Sequence, residues 1–196
     1  MFKLIGGLLM GLMVTSAVAG DIKLPQPEKT NTTTFIQALE NRHSDREFSS
    51  NPVDDKTLST VLWVAYGVNK TDEKRTIPTA LNKKDLNIYV FNQKGIWLYD
   101  AVTNTLKQQS TKNRLDLFQT QDYMQSVSTV LVYTGGMDDY AVMHAGSAYQ
   151  NVGLYTATNN MASIVRGYFD QTETAKVLNL PADQRVIISQ AIGWSK

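Results

Sequence analysis

The sequence predicts an α+β domain in which a mostly antiparallel sheet lies between helices. Apolar residues recur at helical spacing in 52–67 and again in 138–159. Apolar runs of residues that favour β-strands occupy 86–99, 128–133 and 185–192. Helices and strands do not alternate strictly, as they would in βαβ units, so a parallel sheet is not expected. The 196 residues suit one domain, with neither an internal repeat nor a second domain.

Composition excludes several classes of function. Hydrophobic residues make up 42% of the chain, enough for a single core, and the net charge of +1 gives no electrostatic reason to expect nucleic acid as a partner. The absence of cysteine excludes disulfides, a thiolate nucleophile and an iron–sulfur cluster. The two histidines, His43 and His144, lie far apart and outside any H-E-x-x-H pattern, so no zinc site is expected.

Residues 1–19 predict a secretory signal peptide. Lys3 precedes an apolar run over 4–18, and the run ends in a small-x-small cleavage pattern at Ala17 and Ala19. The run is shorter than the roughly 20 apolar residues of a membrane span, and an uncleaved anchor is the alternative reading. We therefore expect a periplasmic or secreted chain with no stable membrane insertion after cleavage.

Residues 20–33 predict a flexible, exposed leader, because they contain two prolines and a cluster of threonine and asparagine. The folded domain then covers 34–196. Thr34 is placed to cap a short helix that ends at 42–44, and one face of this helix carries Phe35, Ile36, Ala38 and Leu39.

The middle of the chain predicts a second helix followed by a hairpin. The helix begins after Pro52 and ends at Gly67, and its core-facing stripe consists of Leu58, Val61, Leu62, Ala65 and Tyr66. Residues 86–91 and 95–99 are expected to be two strands joined by a short turn. The stretch 114–123 is ambiguous and is expected to be helical in part.

Two further strands and a short helix are expected in the last third of the chain. Residues 128–133 are continuously apolar, which predicts a central strand ended by Gly135 and Gly136. A short helix over 172–178 and a final core strand over 185–192 follow.

A long helix is expected to open at Asp138 or Asp139 and to reach about Asn159. One stripe of this helix consists of Val142, Ala145, Gly146, Tyr149, Val152 and Gly153. The opposite side also carries apolar residues, including Met161, so we expect the helix to be buried nearly all round.

Three segments combine residues that could carry chemistry. In the first, Arg42, Ser44 and Arg46 fall within five residues just after a helix, where two guanidinium groups and a hydroxyl can clamp an anion. The alternative is a solvated turn with ordinary charges. In the second, Asn82 offers both a donor and an acceptor to the edge of a planar heterocycle, and a polar surface loop is the alternative.

The third segment, 144–151, lies inside the long apolar helix. Gln150 and Asn151 need hydrogen-bond partners if they are buried, and a cofactor, a partner chain or nearby backbone groups could supply them. The small residues of this segment serve either ligand binding or helix packing, with packing the simpler explanation.

The order and spacing of six segments resemble the nitroreductase family, and in particular the branch that includes the dehydrogenases of thiazole- and oxazole-forming systems. The resemblance covers about residues 35–193. It rests on Arg42-His43-Ser44-x-Arg46-x-Phe48, Leu62-Trp63-x-Ala65-Tyr66-Gly67, Arg75-Thr76-x-Pro78-Thr79-Ala80, Gly95-Ile96-Trp97-Leu98-Tyr99-Asp100, Gly146-x-x-x-Gln150-Asn151 and Gly167-Tyr168-Phe169-Asp170.

The resemblance implies a homodimer that binds FMN at the subunit interface. It implies that Arg42, Ser44 and Arg46 hold the ribityl phosphate, with His43 beside them. Many members of the family extend past the last strand with basic residues that complete the phosphate site. This chain departs from that pattern and stops at Lys196, which either substitutes for those basic residues or leaves the phosphate site incomplete.

The resemblance also assigns residues to the flavin ring. It implies that Asn82 meets the ring edge and that Gly167 and Tyr168 lie against the isoalloxazine, with backbone N–H groups near N5. The long helix that carries Gln150 would lie at the core of the dimer.

The implied function is that of an exported FMN-dependent oxidoreductase acting on a small conjugated or nitro-type acceptor by a ping-pong mechanism. Flavin performs the hydride chemistry itself, which agrees with the lack of a visible nucleophile or general-base motif, and no residue is assigned as catalytic. The electron donor is not indicated. The alternative is a non-catalytic flavin-binding or degenerate protein of the same fold, which the short C-terminus and Asn160-Met161-Ala162, where the family often has Gly-Leu-Gly, would favour.

Overall fold

The computed structural model describes residues 20–30 and 32–196. The signal-peptide prediction for 1–19 lies outside the described residues. The strands are β1 (Ile22–Lys23), β2 (Asn87–Asn92), β3 (Gly95–Asp100), β4 (Thr105–Ser110), β5 (Thr129–Gly136), β6 (Met161–Arg166) and β7 (Gln184–Trp194). The α-helices are α1 (Phe35–Asn41), α2 (Asp55–Tyr66), α3 (Asp139–Thr156) and α4 (Gln171–Val177), and short 3₁₀ turns cover Ala80–Asn82, Leu115–Phe118 and Asp122–Ser126.

All the strands join one sheet in the order β1-β4-β3-β2-β5-β7-β6, and every neighbouring pair is antiparallel. The predicted α+β class with a mostly antiparallel sheet is therefore confirmed. β6 forms one edge of the sheet and pairs along its ladder with β7 alone. Within the described ranges, no helix combines the length and the apolar character needed to cross a membrane.

Two apolar clusters cover the two faces of the sheet. In β2, Ile88 and Val90 belong to one cluster, whereas Tyr89 and Phe91 belong to the other, as the period of two in a strand requires. The first cluster is completed by α2 and α3, and the second by the 3₁₀ turns and α4. The helices thus lie on both sides of the sheet, as the sequence predicts.

The predicted helix ends are present. Thr34 forms a capping box with Gln37 at the start of α1, Asp54 caps α2 and Asp138 caps α3. All members of the predicted stripe on α2 are buried. The helix ends at Gly67, where a Cβ atom would lie 2.2 Å from the Trp63 ring, so that only glycine fits.

The hairpin 87–100 is confirmed, and β5 runs on through both glycines because Gly135 and Gly136 still pair with Arg185 and Gln184. β4 is not predicted from the sequence. Its residues Thr-Leu-Lys-Gln-Gln-Ser are mostly polar, and it pairs with β1 on one side and β3 on the other.

The end of the long helix differs from the prediction. α3 ends at Thr156, and the chain turns at Asn160, which has a left-handed φ of 53°. Met161 then begins β6 rather than continuing the helix. The apolar run over 161–165 reads equally well as helix or strand, and its pairing with β7 decides in favour of the strand.

Burial of α3 also differs from the prediction. One face packs on the sheet and on α2, with Ala145 and Val152 fully buried. The other face is open in a single chain, with Tyr140, Val142 and Met143 between 37% and 55% exposed. Only one side of the helix meets the sheet, so its remaining apolar residues have no cover within the described part of the chain.

The prediction of an exposed leader needs correction for residues 20–30. Ile22 and Lys23 form β1 at the edge of the sheet, and Leu24 is only 2% exposed. The Glu28 N–H donates to the Thr60 hydroxyl at 2.9 Å on α2. The prolines and polar residues of this segment are typical of an exposed leader, but the buried Leu24 and the partly buried Ile22 tie the segment to the domain.

Leu24→Ala tests whether this segment contributes to the stability of the domain. Because Leu24 is buried, we expect a loss of about 2–5 kcal/mol in the free energy of unfolding, measured by urea denaturation of the chain from residue 20. Gln26→Ala, at an exposed position two residues away, is the control and should cost less than about 0.5 kcal/mol. Equal midpoints for the two variants would mean that the segment is not anchored.

Candidate functional site

The arginine segment 42–48 lies along the open edge of β6. α1 ends at Asn41, and Arg42 leaves it in an extended conformation with φ −66° and ψ 119°. The Asp45 N–H donates to the Ser163 carbonyl at 3.0 Å, and Phe48, which is 1% exposed, forms an isolated bridge with Ser195. An edge strand offers unpaired backbone groups, and this segment uses one of them.

A cavity of about 200 Å³ lies between this segment, α3 and β6. Arg42, His43 and Ser44 line one side, Gln150 and Gly153 contribute from α3, and 163–165 contribute from β6. Gln190 lines it from β7 and is almost fully buried, and its amide is satisfied because it accepts from the Tyr133 hydroxyl and donates to the Tyr149 carbonyl. The structure thus brings the predicted phosphate ligands Arg42 and Ser44, with His43 beside them, together with Gln150.

The Arg42 side chain is free to meet an anion. Its Cγ and Cδ atoms pass 3.6 Å from the position that a Cβ of Gly153 would occupy, so the aliphatic stem lies across α3. Among residues 20–30 and 32–196, no carboxylate lies within ion-pair distance of Arg42 or Arg46. His43 is largely exposed, with Nδ1 2.8 Å from the Asn41 carbonyl oxygen and Nε2 3.8 Å from Asp45 Oδ2.

Arg46 and Lys196 occupy a neighbouring position. Arg46 does not line the cavity, and its guanidinium lies 5.8 Å from the centroid of the Tyr123 ring. The Lys196 N–H donates to the Glu47 carbonyl at 2.9 Å, so the last described residue lies next to the arginine segment. Of the predicted phosphate ligands, Arg42 and Ser44 therefore line the cavity, whereas Arg46 lies beside Tyr123.

The turn after β6 presents two unused backbone donors. The Phe169 N–H donates to the Gly167 carbonyl at 3.2 Å, and the Tyr168 carbonyl accepts from Thr120 and Arg166. The N–H groups of Gly167 and Tyr168 donate to no acceptor in the described part of the chain. Such donors can stabilise negative charge that develops beside them.

Space is left open at Gly167. A Cβ atom there would meet only the Ile188 side chain, at an ordinary 3.7 Å, and Tyr168 is 69% exposed. The fold itself therefore does not require glycine at this position, whereas the close approach of a planar ligand would.

β6 joins these two halves of the site. The Ser163 carbonyl accepts a hydrogen bond from the Asp45 N–H of the arginine segment, and Gly167 follows the last residue of the strand. Four residues of strand span about 13 Å. A cationic cavity and a pair of free N–H groups thus lie along one strand, at a separation that suits an elongated ligand with an anionic end.

The loop that carries Asn82 is held by a buried histidine. Leu81 and Asn82 both adopt a left-handed φ of 54°, which is strained for leucine but tolerated by asparagine. The Ala80 N–H donates to His144 Nε2 at 2.9 Å, so the ring proton is on Nδ1, which donates to Asp85 at 2.9 Å. His144 is 3% exposed, and its role as a loop anchor was not predicted from its place in segment 144–151.

An ion pair also ties this loop to the start of α3. Lys83 Nζ lies 2.6 Å from Asp138 Oδ2, and its hydrogen bond holds the pKa of the Asp138 carboxyl below its usual range. The loop therefore lies by the first turns of α3, whereas Arg42 lies at Gly153. The helix rises about 13 Å from His144 to Gly153, so Asn82 does not line the cavity of its own chain.

Arg166, Thr120 and Tyr123 border the turn after β6 but were not predicted. Thr120 and Tyr123 fall in the ambiguous stretch 114–123, and only the tertiary fold brings them to Arg166 at the end of a strand. No local spacing in the sequence signals this contact.

Comparison with known proteins agrees with this fold. The Nitroreductase family profile matches residues 39–194. The chain belongs to the nitroreductase family, a family of oxidoreductases that generally bind FMN. The resemblance drawn from the sequence motifs is confirmed.

Individual relatives give the same result. A crystal structure named as a nitroreductase from Ralstonia eutropha JMP134 superposes with a TM-score of 0.85 and 27% identity, covering 99% of this chain and 98% of that one. A Methanocaldococcus jannaschii protein, also named as a nitroreductase, is 25% identical over 183 residues, covering 82% of this chain and 90% of the relative. A chain of the E. coli microcin synthetase McbBCD complex shares the fold, with a TM-score of 0.69 and 15% identity over 99% of this chain and 85% of that one.

His144→Ala tests the anchoring of the Asn82 loop. The substitution leaves the Ala80 N–H and Asp85 without their partner, so we expect a loss of about 1–3 kcal/mol in the free energy of unfolding. Amide exchange should accelerate in 80–85, as measured by hydrogen–deuterium exchange. His43→Ala removes an exposed histidine and is the matched control, and an identical exchange pattern in both variants would exclude the anchoring role.

Proposed function

We propose that this chain is an exported, FMN-dependent oxidoreductase that transfers electrons to a small conjugated or nitro-type acceptor by a ping-pong mechanism. The observation that carries the proposal is the arrangement along β6, where a cationic cavity lies at one end and two free backbone N–H groups lie at the other. FMN has the matching chemistry, with a dianionic phosphate at one end and a ring that gains negative charge on reduction at the other.

The residues present fit this cofactor at both ends. Arg42 and Ser44 supply a guanidinium and a hydroxyl for the phosphate, and His43 lies beside them. Gly167 and Tyr168 supply N–H donors and leave open space for a planar ring. When bound, FMN supplies the hydride chemistry, while the chain positions the reactants and sets the electrostatics.

One chain holds only part of the site. The cavity of about 200 Å³ is smaller than the roughly 300–1,000 Å³ of typical ligand pockets. Nearby apolar residues are uncovered, including Phe35 and Ile36 on α1, which are 66% and 62% exposed, and Met143 on α3. A homodimer formed through α1 and α3 would cover these residues and bring the Asn82 loop of the partner toward the ring.

The signal-peptide pattern in 1–19 supports the export part of the proposal, and the absence of cysteine is compatible with a periplasmic location. A periplasm holds little NAD(P)H, so a quinol or another redox protein is the expected electron donor.

A non-catalytic flavin carrier is the second candidate. It is favoured by the position of Arg46 beside Tyr123 rather than in the cavity, which leaves Arg42 as the cavity's only arginine among the described residues. This candidate predicts bound flavin without turnover.

The visible absorption spectrum of the chain purified from residue 20 tests the cofactor. Peaks of oxidised flavin, with FMN released on denaturation, would support the proposal, and bleaching by a donor followed by recovery with a nitroaromatic acceptor would support turnover. Bleaching without recovery would favour the carrier. A chain that stays colourless after FMN is added would contradict both.

Arg42→Ala should weaken FMN binding about 10–150-fold, because a hydrogen bond to a charged group contributes about 1.5–3 kcal/mol. Fluorescence titration of the apoprotein measures this affinity. Arg114→Ala, which removes an arginine that pairs with Asp116 outside the cavity, is the control. Unchanged affinity in the Arg42 variant would rule out its contact with the phosphate.

Met143→Lys should weaken the proposed dimer, because it places a charge on the uncovered face of α3. Gly146→Leu should act in the same way, since a Cβ there meets only Tyr149 of its own helix at 3.6 Å and the chain alone has room for it. Light scattering should detect monomers for both variants and dimers for Val102→Lys, a matched change at an exposed residue in the β3–β4 turn. Normal dimers in all three would place the interface elsewhere.

A further inference from the structure

Arg166 is a buried cation at the end of β6. It is 5% exposed and lies one residue before Gly167. Across the described ranges, no carboxylate lies within ion-pair distance of its guanidinium. Burying an uncompensated charge costs free energy unless neutral polar groups hydrogen-bond to it.

The two terminal nitrogens of the guanidinium donate to neutral oxygens from two segments, whereas the buried Nε has no hydrogen-bond partner among the described residues. One terminal nitrogen donates to the Phe118 carbonyl at 2.9 Å. The other donates to Thr120 at 2.7 Å, Gln121 at 3.0 Å and the Tyr168 carbonyl at 3.0 Å. Arg166 therefore joins the 118–121 segment to the turn that follows its own strand.

These bonds fix the direction of one peptide group. The Tyr168 carbonyl accepts from both Arg166 and the Thr120 hydroxyl, the latter at 2.8 Å. The Gly167 carbonyl accepts from Phe169. The Tyr168 carbonyl shares its peptide group with the Phe169 N–H, and the Gly167 carbonyl that accepts from Phe169 shares its own with the Tyr168 N–H, so holding the first group also holds the second. The Arg166 carbonyl, which accepts from the Ser189 hydroxyl at 2.9 Å, holds the peptide group that carries the Gly167 N–H.

We propose that Arg166 is a positioning residue that holds the Gly167–Tyr168 turn so that its two N–H groups stay directed to the ring-binding end of the site. The inference rests on the proposed function for the identity of the ring, but not for the state of the turn. Arg166 is 5% exposed, so it is not placed to contact a ligand itself. It acts through the Tyr168 carbonyl and through its charge.

The positive charge of Arg166 also favours negative charge on a ligand bound beside the turn. The guanidinium lies 5.6 Å from the Tyr123 ring centroid, and Arg46 lies 5.8 Å from the same centroid, so two cations flank one aromatic ring near the turn. Positive charge in a poorly solvated position favours the reduced, more negative form of a neighbouring flavin.

The ligand-free chain gives the first test. In Arg166→Met and in Thr120→Val, which removes the second donor to the Tyr168 carbonyl, the Phe169 amide should exchange at least about ten times faster than in the unchanged chain. Arg114→Met, an arginine that pairs with Asp116 instead, should leave this amide unchanged.

The FMN-loaded protein gives the second test. Arg166→Met should make the midpoint potential of bound FMN more negative and lower kcat more than it changes KM. Arg166→Lys keeps the charge but not the forked geometry, so it should restore much of the potential while exchange at Phe169 stays fast. Thr120→Val should accelerate exchange with a smaller change in potential.

The outcomes separate this proposal from the proposed function. If Arg166→Met folds and leaves both Phe169 exchange and the FMN potential unchanged, the positioning role is overturned. If Arg166→Met does not fold, Arg166→Lys and Thr120→Val decide by the same two measurements. If the unchanged chain binds no FMN, the proposed function fails, while exchange in the ligand-free chain still decides whether Arg166 holds the turn.

Discussion

An edge strand must satisfy one row of backbone groups outside its own sheet, and in this chain β6 meets that requirement in part with the arginine segment. The hydrogen bond from the Asp45 N–H to the Ser163 carbonyl lays Arg42 and Ser44 against the strand. The pairing with β7 extends along the strand as far as Arg166. Both ends of the candidate site therefore depend on the placement of one strand, and β5 and β7 supply the rigid support behind it.

Two buried basic side chains hold the loops that border the site. His144 ties the Asn82 loop to α3, and Arg166 ties the Gly167–Tyr168 turn to the 118–121 segment. A loop lacks the extensive apolar contacts of a helix or strand. Each of these side chains instead holds its loop with a few hydrogen bonds of defined direction. Loops held in this way are fixed in geometry but open locally at less cost than the sheet, which suits a site that has to admit and release reactants.

The fold was largely predictable because its main elements have clear periodicity. The stripe on α2, the hairpin 87–100 and the caps at Thr34 and Asp138 are local features that need no tertiary information. β4 was missed since its residues are polar, and β6 was missed since a short apolar run fits a helix as well as a strand. Both segments become strands because they pair with neighbouring strands of the sheet.

The candidate site was predictable only where it is local in sequence. Arg42 and Ser44 lie two residues apart and reach the same cavity, as their spacing suggests. Arg46 continues the same motif, but its side chain turns to Tyr123, a contact that depends on a distant 3₁₀ turn. The hydrogen bond between Arg166 and Thr120 spans 46 residues, and no pattern within either segment indicates it.

In the proposed function, the cavity beside β6 recognises the phosphate of a flavin. The most direct measurement compares the affinities of the apoprotein for FMN and for riboflavin, which share the ring and differ in the phosphate. We expect FMN to bind at least about tenfold more tightly, since even one charge-assisted hydrogen bond contributes about 1.5–3 kcal/mol. Equal affinities for the two flavins would contradict the phosphate site and, with it, the proposed role of Arg42 and Ser44.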